Sequence, residues 1–584
     1  MRKIIRHVLC LCCFATLHLY SSDCFTFADQ AKHSNGIFEL DGKTEITLDD
    51  FYDIVFGGKR LVIHPAVNER LDETRRFVDY LLEKNIKVYG LTTGFADLRN
   101  SAVSPCQAGL LSKNILTSHD AGIGPPLPKD VVLGAMVLRA NALSKGHSAI
   151  KKETLKTLVD MVNARIIPVI PDTGSLGASG DLAFLARLGR AMCGEEVPVC
   201  FNGKRMTAKE ALTMENILFF DPSAKEGLAL TNGTSFMASM LAIGYLREVH
   251  EIENVLALQN LFLSSVQAID AAFNASIHAA RRQQGQKKIA NIILSSLNGS
   301  PFIDREGVQN DYCIRCLPQI LGPKLEIIYS VKEQITRELN AVTDNPLIYR
   351  DKEISDDVHP GRLFEINGKK WAVLSGGNFH GEYIATIADT LTLANAKIAL
   401  TMDRQMTYML NPWRNGKVLP AYLIPNEEKV GLMSGYMITQ YTLNAITQKI
   451  CFLATPVTNF NLTSANESED VVSYGASAGC KLIDQLDLIR NLNVVYLATV
   501  LQAYSIMREH YMQKAAKPLP PNLVSERLYA AILTHMEGID YPTYEEIAFG
   551  KIYERLKKLL KTVNLRHVMN YPIAQDLDVH CIAY

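Results

Sequence analysis

The chain has 584 residues, enough to bury a large core and to form more than one domain. Its 60 basic and 61 acidic residues nearly cancel, so charge gives no case for nucleic acid or for an acidic macromolecular partner. The 48% hydrophobic fraction is that of an ordinary globular chain. Past the N-terminus no apolar run is long enough to span a bilayer, and no stable membrane partner is expected.

The N-terminus differs from the rest. Arg2, Lys3 and Arg6 precede a short apolar stretch, Val8–Tyr20, and Thr26 and Ala28 stand where a signal cleavage site wants small residues. This reads as a secretory signal over residues 1–28 and predicts export, with a cytoplasmic chain as the alternative. Four of the 12 cysteines (Cys10, Cys12, Cys13 and Cys24) lie in that segment, and the others are too scattered for a disulfide framework. "CIRC" (Cys313–Cys316) lacks a second pair to make a zinc or redox site.

Residues 29–223 alternate short apolar runs such as "LVIHP" and "RIIPVIP" with Gly and Pro turns, which predicts short helices and many loops. Proline is then absent from Ala224 to Ser300, where Leu, Ala, Glu and Gln dominate. Further proline-free intervals at Lys324–Asn345, Gly361–Asn411, Asn426–Thr455 and Val457–Lys517 predict more long helices. Leu325, Ile328, Val331, Ile335 and Leu339 recur at three- and four-residue steps, one apolar helical stripe. Residues 224–517 therefore read as a bundle of long helices, and 518–584, after "KPLPPN", as a helical cap. The expected fold class is mainly α, with an irregular N-terminal domain leaning on the bundle core.

Within the loop-rich part runs "PDTGSLGASGDLAF" (Pro171–Phe184). Its plain reading is a small-residue turn entering a helix that Asp181 caps or whose dipole it favours. The turn also permits chemistry. A glycine amide nitrogen pressed onto the preceding alanine carbonyl can cyclise the backbone, and glycine has no side chain to block the approach. Two dehydrations, one removing the serine hydroxyl, leave a methylidene conjugated to the ring, an electrophile no ordinary side chain supplies.

"GSLGASGDLA" resembles the prosthetic-group segment of the aromatic amino acid ammonia-lyases, the family of histidine, phenylalanine and tyrosine ammonia-lyases and related aminomutases. The resemblance is collinear from about Leu48 to Cys480. It implies a fumarase/aspartase-like architecture and a 4-methylidene-imidazol-5-one (MIO) ring formed from Ala178, Ser179 and Gly180, with no metal. It also implies a homotetramer whose active sites each draw on several subunits. "VYGLTTGFADLRN" is similar to the mobile inner loop, with Tyr89 as the base that takes a β-proton. "KEGLALTNGTS" brings Asn232, and "VQNDYCIRCLPQILG" brings Gln309, Tyr312 and Arg315. Arg315 would grip the substrate carboxylate bidentately; Asn232 and Tyr312 would hydrogen-bond around the ring and the amine, with Gln309 supporting them. "SGGNFHGEYIA" places Phe379, a wall excluding water, beside His380. A base of this kind implies surroundings that favour the Tyr89 phenolate, and Asp181 is expected to orient the cyclising loop.

The reaction implied is loss of ammonia from a small-molecule L-amino acid to give an α,β-unsaturated arylacid. Ser118 and His119 resemble the substrate-selecting pair of histidine ammonia-lyases, and so does Glu469 in "TSANESEDVVS", since a carboxylate suits an imidazole. Other details point to tyrosine or phenylalanine lyases or to aminomutases: "NGTS", the Thr in "YGLTTGF", "FADL", and the ungapped "TSANESEDVVS". A homologue that binds without turnover is the alternative outside catalysis, although no residue needed for the chemistry is missing.

Overall fold

The computed structural model describes residues 36–515, 518–562, 565–569 and 573–577; the expected signal segment, residues 1–28, lies outside them. Two compact units are interleaved in sequence. Among the described residues, unit 1 comprises those up to Met240 together with Ile335–Ala385 and Thr458–Ser477, and unit 2 comprises Leu241–Gln334, Thr386–Val457 and those from Ala478 onward. The boundary drawn from sequence after residue 223 falls inside unit 1.

Unit 1 has the punctuated texture of its sequence. In order it holds β1 (Ile37–Leu40), α1 (Leu48–Val55), β2 (Arg60–Ile63), α2 (Pro65–Glu83), α3 (Ala108–His119), β3 (Ile123–Pro126), α4 (Lys129–Ser144) and α5 (Lys152–Ala164). It continues through β4 (Ile167–Pro168), β5 (Pro171–Thr173), α6 (Leu182–Met192), β6 (Pro198–Phe201), β7 (Lys204–Thr207), α7 (Ala208–Met214) and α8 (Glu226–Thr231). The returning segment adds β8 (Leu347–Arg350), β9 (Leu363–Ile366) and β10 (Lys369–Leu374). Among the described residues the strands form four small sheets: β1–β2 parallel, and β3–β5, β4–β6–β7 and β8–β10–β9 antiparallel. Short helices here are fixed at their starts, as where Thr47 with Asp50 and Thr207 with Glu210 form capping boxes on α1 and α7. Phe77 of α2 stacks on Trp371 of β10 with ring centroids 4.9 Å apart, in a core shared with Val78, Leu91 and Ile348.

Unit 2 sets long helices among shorter ones: α9 (Ser235–Ser265), α10 (Ala275–Arg281), α11 (Gln284–Ser296), α12 (Tyr312–Arg315), α13 (Leu317–Leu339), α14 (Glu382–Leu410), α15 (Met437–Leu453), α16 (Gly475–Ala515), α17 (Val524–Leu533) and α18 (Phe549–Thr562). α9, α13, α14 and α16 each have one end in unit 1. The stripe of Leu325, Ile328, Val331, Ile335 and Leu339 is buried, and the mainly-α fold matches the expectation. α9 is buried along its whole length, so it cannot be amphipathic and must satisfy its own charges. Glu248 pairs with Lys324 at 2.7 Å, and Asn395 donates to the same carboxylate at 2.6 Å.

Candidate active site

The segment expected to form the ring is a tight turn in left-handed backbone. Gly177, Ser179 and Gly180 have φ of +81°, +53° and +86°, and Gly177 and Gly180 bridge across the turn. Ser175 Oγ donates to the Gly180 carbonyl at 2.9 Å, and the Tyr474 N–H donates to the Leu176 carbonyl at 3.0 Å. On the other side Gly233 runs beside Gly180 as a parallel bridge. The Asp181 N–H donates to the Gly233 carbonyl at 2.7 Å, and the Gly233 N–H reaches the Ser179 carbonyl at 3.4 Å. A β-carbon on Gly180 would collide with the Gly233 carbonyl oxygen, so the approach needs glycine.

Two of the expected side chains of unit 1, Asn232 and Glu469, reach this turn directly, and others are coupled to Glu469. Asn232 Nδ2 donates to the Ser179 carbonyl at 2.8 Å, while its Oδ1 is buried with no hydrogen-bond partner. Ser179 Oγ donates to Glu469 Oε1 at 3.3 Å, and Ser464 Oγ holds the other carboxylate oxygen at 2.6 Å. Ser118 Oγ and His119 Nδ1 share a hydrogen bond of 2.9 Å at the end of α3. Burial pushes the His119 imidazole below its ordinary value, against the pull of the Glu469 carboxylate. The Tyr89 hydroxyl accepts the Ala96 N–H at 2.9 Å, and Tyr89 and Glu469 also interact electrostatically. Phe379 is half-buried, and its neighbour His380 hydrogen-bonds the Val471 carbonyl at 3.2 Å, two residues beyond Glu469.

Gln309, Tyr312 and Arg315 belong to unit 2, where they line a cleft of roughly 510 Å³ with Asp311, Arg404 and Arg414. Tyr312 is 70% exposed, and the Arg315 guanidinium lies over its ring at 4.5 Å. Arg414 pairs with Asp311 at 2.5 Å, and Arg404 pairs with Asp403. Arg315 has no carboxylate partner among the described residues, and its Nε is buried without a hydrogen bond. That leaves it as the guanidinium of the cleft open to an outside anion.

Comparison with known proteins decides the family. Residues 46–532 match the family model described as aromatic amino acid lyase. A histidine ammonia-lyase of Alkaliphilus metalliredigens is 37% identical over 75% of this chain and 82% of its own. The crystal structure of histidine ammonia-lyase from Trypanosoma cruzi superposes with a TM-score of 0.77 at 27% identity, over 91% of this chain and 95% of its own. The Pantoea agglomerans phenylalanine aminomutase shares the fold, with a TM-score of 0.78 at 24% identity over 92% of this chain and all of its own.

The chain belongs to the aromatic amino acid lyase family.

As a member of that family it is a carbon–nitrogen lyase, and two expectations drawn from its sequence need correction. Asp181 does not cap α6 with its side chain. Its Oδ2 instead accepts the N–H groups of Phe236 and Met237 at 2.7 and 3.1 Å, in the first turn of α9. Complete burial pushes this carboxyl up to about 7, opposed by those two donors and by Arg139. The surroundings of Tyr89 do not favour phenolate in the single chain. Burial raises the phenol and Glu469 raises it further, while the Ala96 N–H and Arg99 pull it down. Sequence reading also missed Gly233, whose closeness to Gly180 spans more than fifty positions; the Gly of "TNGTS" was the available signal.

Proposed function

We propose that this lyase removes ammonia from L-histidine without oxidation, giving urocanate, through an MIO ring made from Ala178, Ser179 and Gly180. The observation that carries the substrate is the Glu469 carboxylate, which lies beside Ser179 and is electrostatically coupled to His119. Beside an imidazole this carboxylate gains a charge-assisted partner, whereas a plain phenyl ring would desolvate it without return. The residues fit the ring: the turn is already left-handed at Ser179 and Gly180, Gly233 leaves room, and Asn232 and the Gly233 N–H hold the Ser179 oxygen that the ring would retain. The ring supplies an electrophilic methylidene for the substrate amine, a form of covalent catalysis. Tyr89 accepts the β-proton, Arg315 anchors the carboxylate, and Tyr312 and Gln309 support the amine end. The inner loop is held by two threonines: Thr92 Oγ1 accepts the Val88 N–H at 2.9 Å, and Thr93 Oγ1 accepts the Gly90 N–H at 3.2 Å.

One threonine of this pair stands where ammonia-lyases usually carry Asn, a variant seen in aminomutases. It supports a second reading, in which ammonia is returned to give a β-amino acid. We further infer a homotetramer and, from residues 1–28, export. Purified protein offered L-His, L-Tyr and L-Phe separately tests the main reading through arylacrylate absorbance, with β-amino acid analysis of each mixture. Product from histidine alone is expected, and product from tyrosine alone overturns the substrate. Ser179→Ala should abolish turnover of every substrate.

A further inference from the structure

A buried cation stands behind the ring-forming turn. Arg139, in α4, is 0% exposed. Its Nη2 donates to the Ala229 carbonyl of α8, while Nε and Nη1 have no hydrogen-bond partner. Nη1 lies directly against Gly233: a β-carbon on that glycine would collide with it, and would stand 2.8 Å from Thr343 Oγ1 on another side. Gly233 is also the residue that takes the Asp181 N–H and offers its own N–H to the Ser179 carbonyl. The carboxylates that act on Arg139 are Asp344 and Asp181. Asp344 is already engaged by Lys225 at 3.4 Å and Ser148 Oγ at 3.0 Å, whereas Asp181 Oδ1 has no hydrogen-bond partner. A buried guanidinium with two unsatisfied nitrogens is a poor device for stability alone.

We propose that Arg139 is a positioning residue for ring closure: braced on Ala229, its guanidinium holds Gly233 against Ser179–Asp181 so that the turn keeps the geometry from which the ring closes. This rests on the reading that Ala178–Ser179–Gly180 cyclises. In that step a bond forms between the Gly180 nitrogen and the Ala178 carbonyl carbon. The Ala178 oxygen leaves as water with the hydrogens of the Gly180 and Ser179 nitrogens. Ser179 then loses its hydroxyl and α-hydrogen as a second water, and no oxidant is needed. Arg139 touches none of these atoms and acts through Gly233.

The test follows the mass of the peptide containing Ala178–Gly180 in the full chain, sampled through expression, alongside thermal melts and sizing of the soluble protein. The wild-type peptide should lack two waters. Arg139→Gln should slow closure by about tenfold or more within the folded fraction, as expected when a reacting pair is misplaced. Arg139→Lys should be slowed less, because an ammonium keeps the charge but not the planar fork that faces Ala229 and Gly233 together. Closure at the wild-type rate in either folded variant overturns the proposal, and a lowered melting temperature with normal closure does so too. Should Arg139→Gln yield only aggregate, Arg139→Lys decides. A wild-type peptide that retains both waters sinks the ring reading itself and is distinguished from these outcomes.

Discussion

In the proposed chemistry Asn232 acts through one short contact. Its Nδ2 lies 2.8 Å from the Ser179 oxygen, and the Gly233 N–H approaches the same atom at 3.4 Å. Two fixed donors on one carbonyl are the arrangement that stabilises charge developing on that oxygen, and they need no reorganisation during reaction. Asn232→Ala should therefore lower kcat by about 10²–10³-fold, the usual loss for one such donor, with a small change in melting temperature. Single-turnover rates on protein with verified ring content check this, and an unchanged rate would remove Asn232 from the chemistry. Both residues lie in "TNGTS", but only Asn232 was legible there. A side-chain amide advertises a donor, whereas the value of Gly233 depends on which distant backbone it meets. Burial is equally invisible along the chain, which is why the phenol of Tyr89 was expected low and is pushed high.

At the scale of elements, α6 does more than leave the ring turn. Its Arg187 and Arg190 grip Asp120, the residue just past α3, at 3.1 and 2.5 Å, and the Asp120 side chain is 2% exposed. Ser118 and His119, the proposed selecting pair, are thereby tied to the helix that begins after Asp181. Asp120→Asn removes the charge both guanidiniums share. Breaking a buried pair costs about 3–5 kcal/mol, and the partly exposed arginines place this case at or below the low end. The melting temperature should fall and KM for histidine should rise while the ring still forms; an unchanged KM would mean that α3 holds the pair unaided. Such an ion pair cannot be read from sequence, since its members stand 67 and 70 positions apart. The long helices could be read, because absence of proline and a repeating apolar stripe are local properties. α9 adds a pH dependence. Glu251, wholly buried beside Asn254, Asn493, Arg490 and Glu248, is pushed up from 4.5 to about 7 by burial. A carboxyl raised by folding binds its proton more tightly in the folded chain, so its stability contribution is complete below about pH 4.5 and lost toward about pH 7. Glu251→Gln, neutral throughout, should flatten the fall in melting temperature across that window, and an unchanged slope would assign the fall to other groups.

At the scale of the whole molecule, the residues of the proposed site are divided. The ring turn, Tyr89, Ser118, His119, Asn232, Phe379 and Glu469 belong to unit 1, and Gln309, Tyr312 and Arg315 belong to unit 2. Sequence order indicated each motif but not this division, because the units are assembled from separate stretches of chain and their membership is a property of tertiary contacts. The exposed apolar side chains of α14 and α15, Leu393, Leu400, Ile438, Tyr441 and Phe452, are the kind of surface a subunit contact covers. In the proposed homotetramer each site is completed by more than one copy of the chain, which makes a sharp prediction. On the proposed mechanism Ser179→Ala removes the electrophile and Arg315→Lys loses the bidentate grip on the carboxylate, so either homotetramer should be nearly inactive. Co-expressed, the two variants form mixed tetramers in which some sites draw an intact turn from one copy and an intact Arg315 from another. Activity of the co-expressed pair should then exceed that of the two separately purified variants combined after assembly. If each site were built within a single copy, every copy would carry one defect and co-expression would restore nothing.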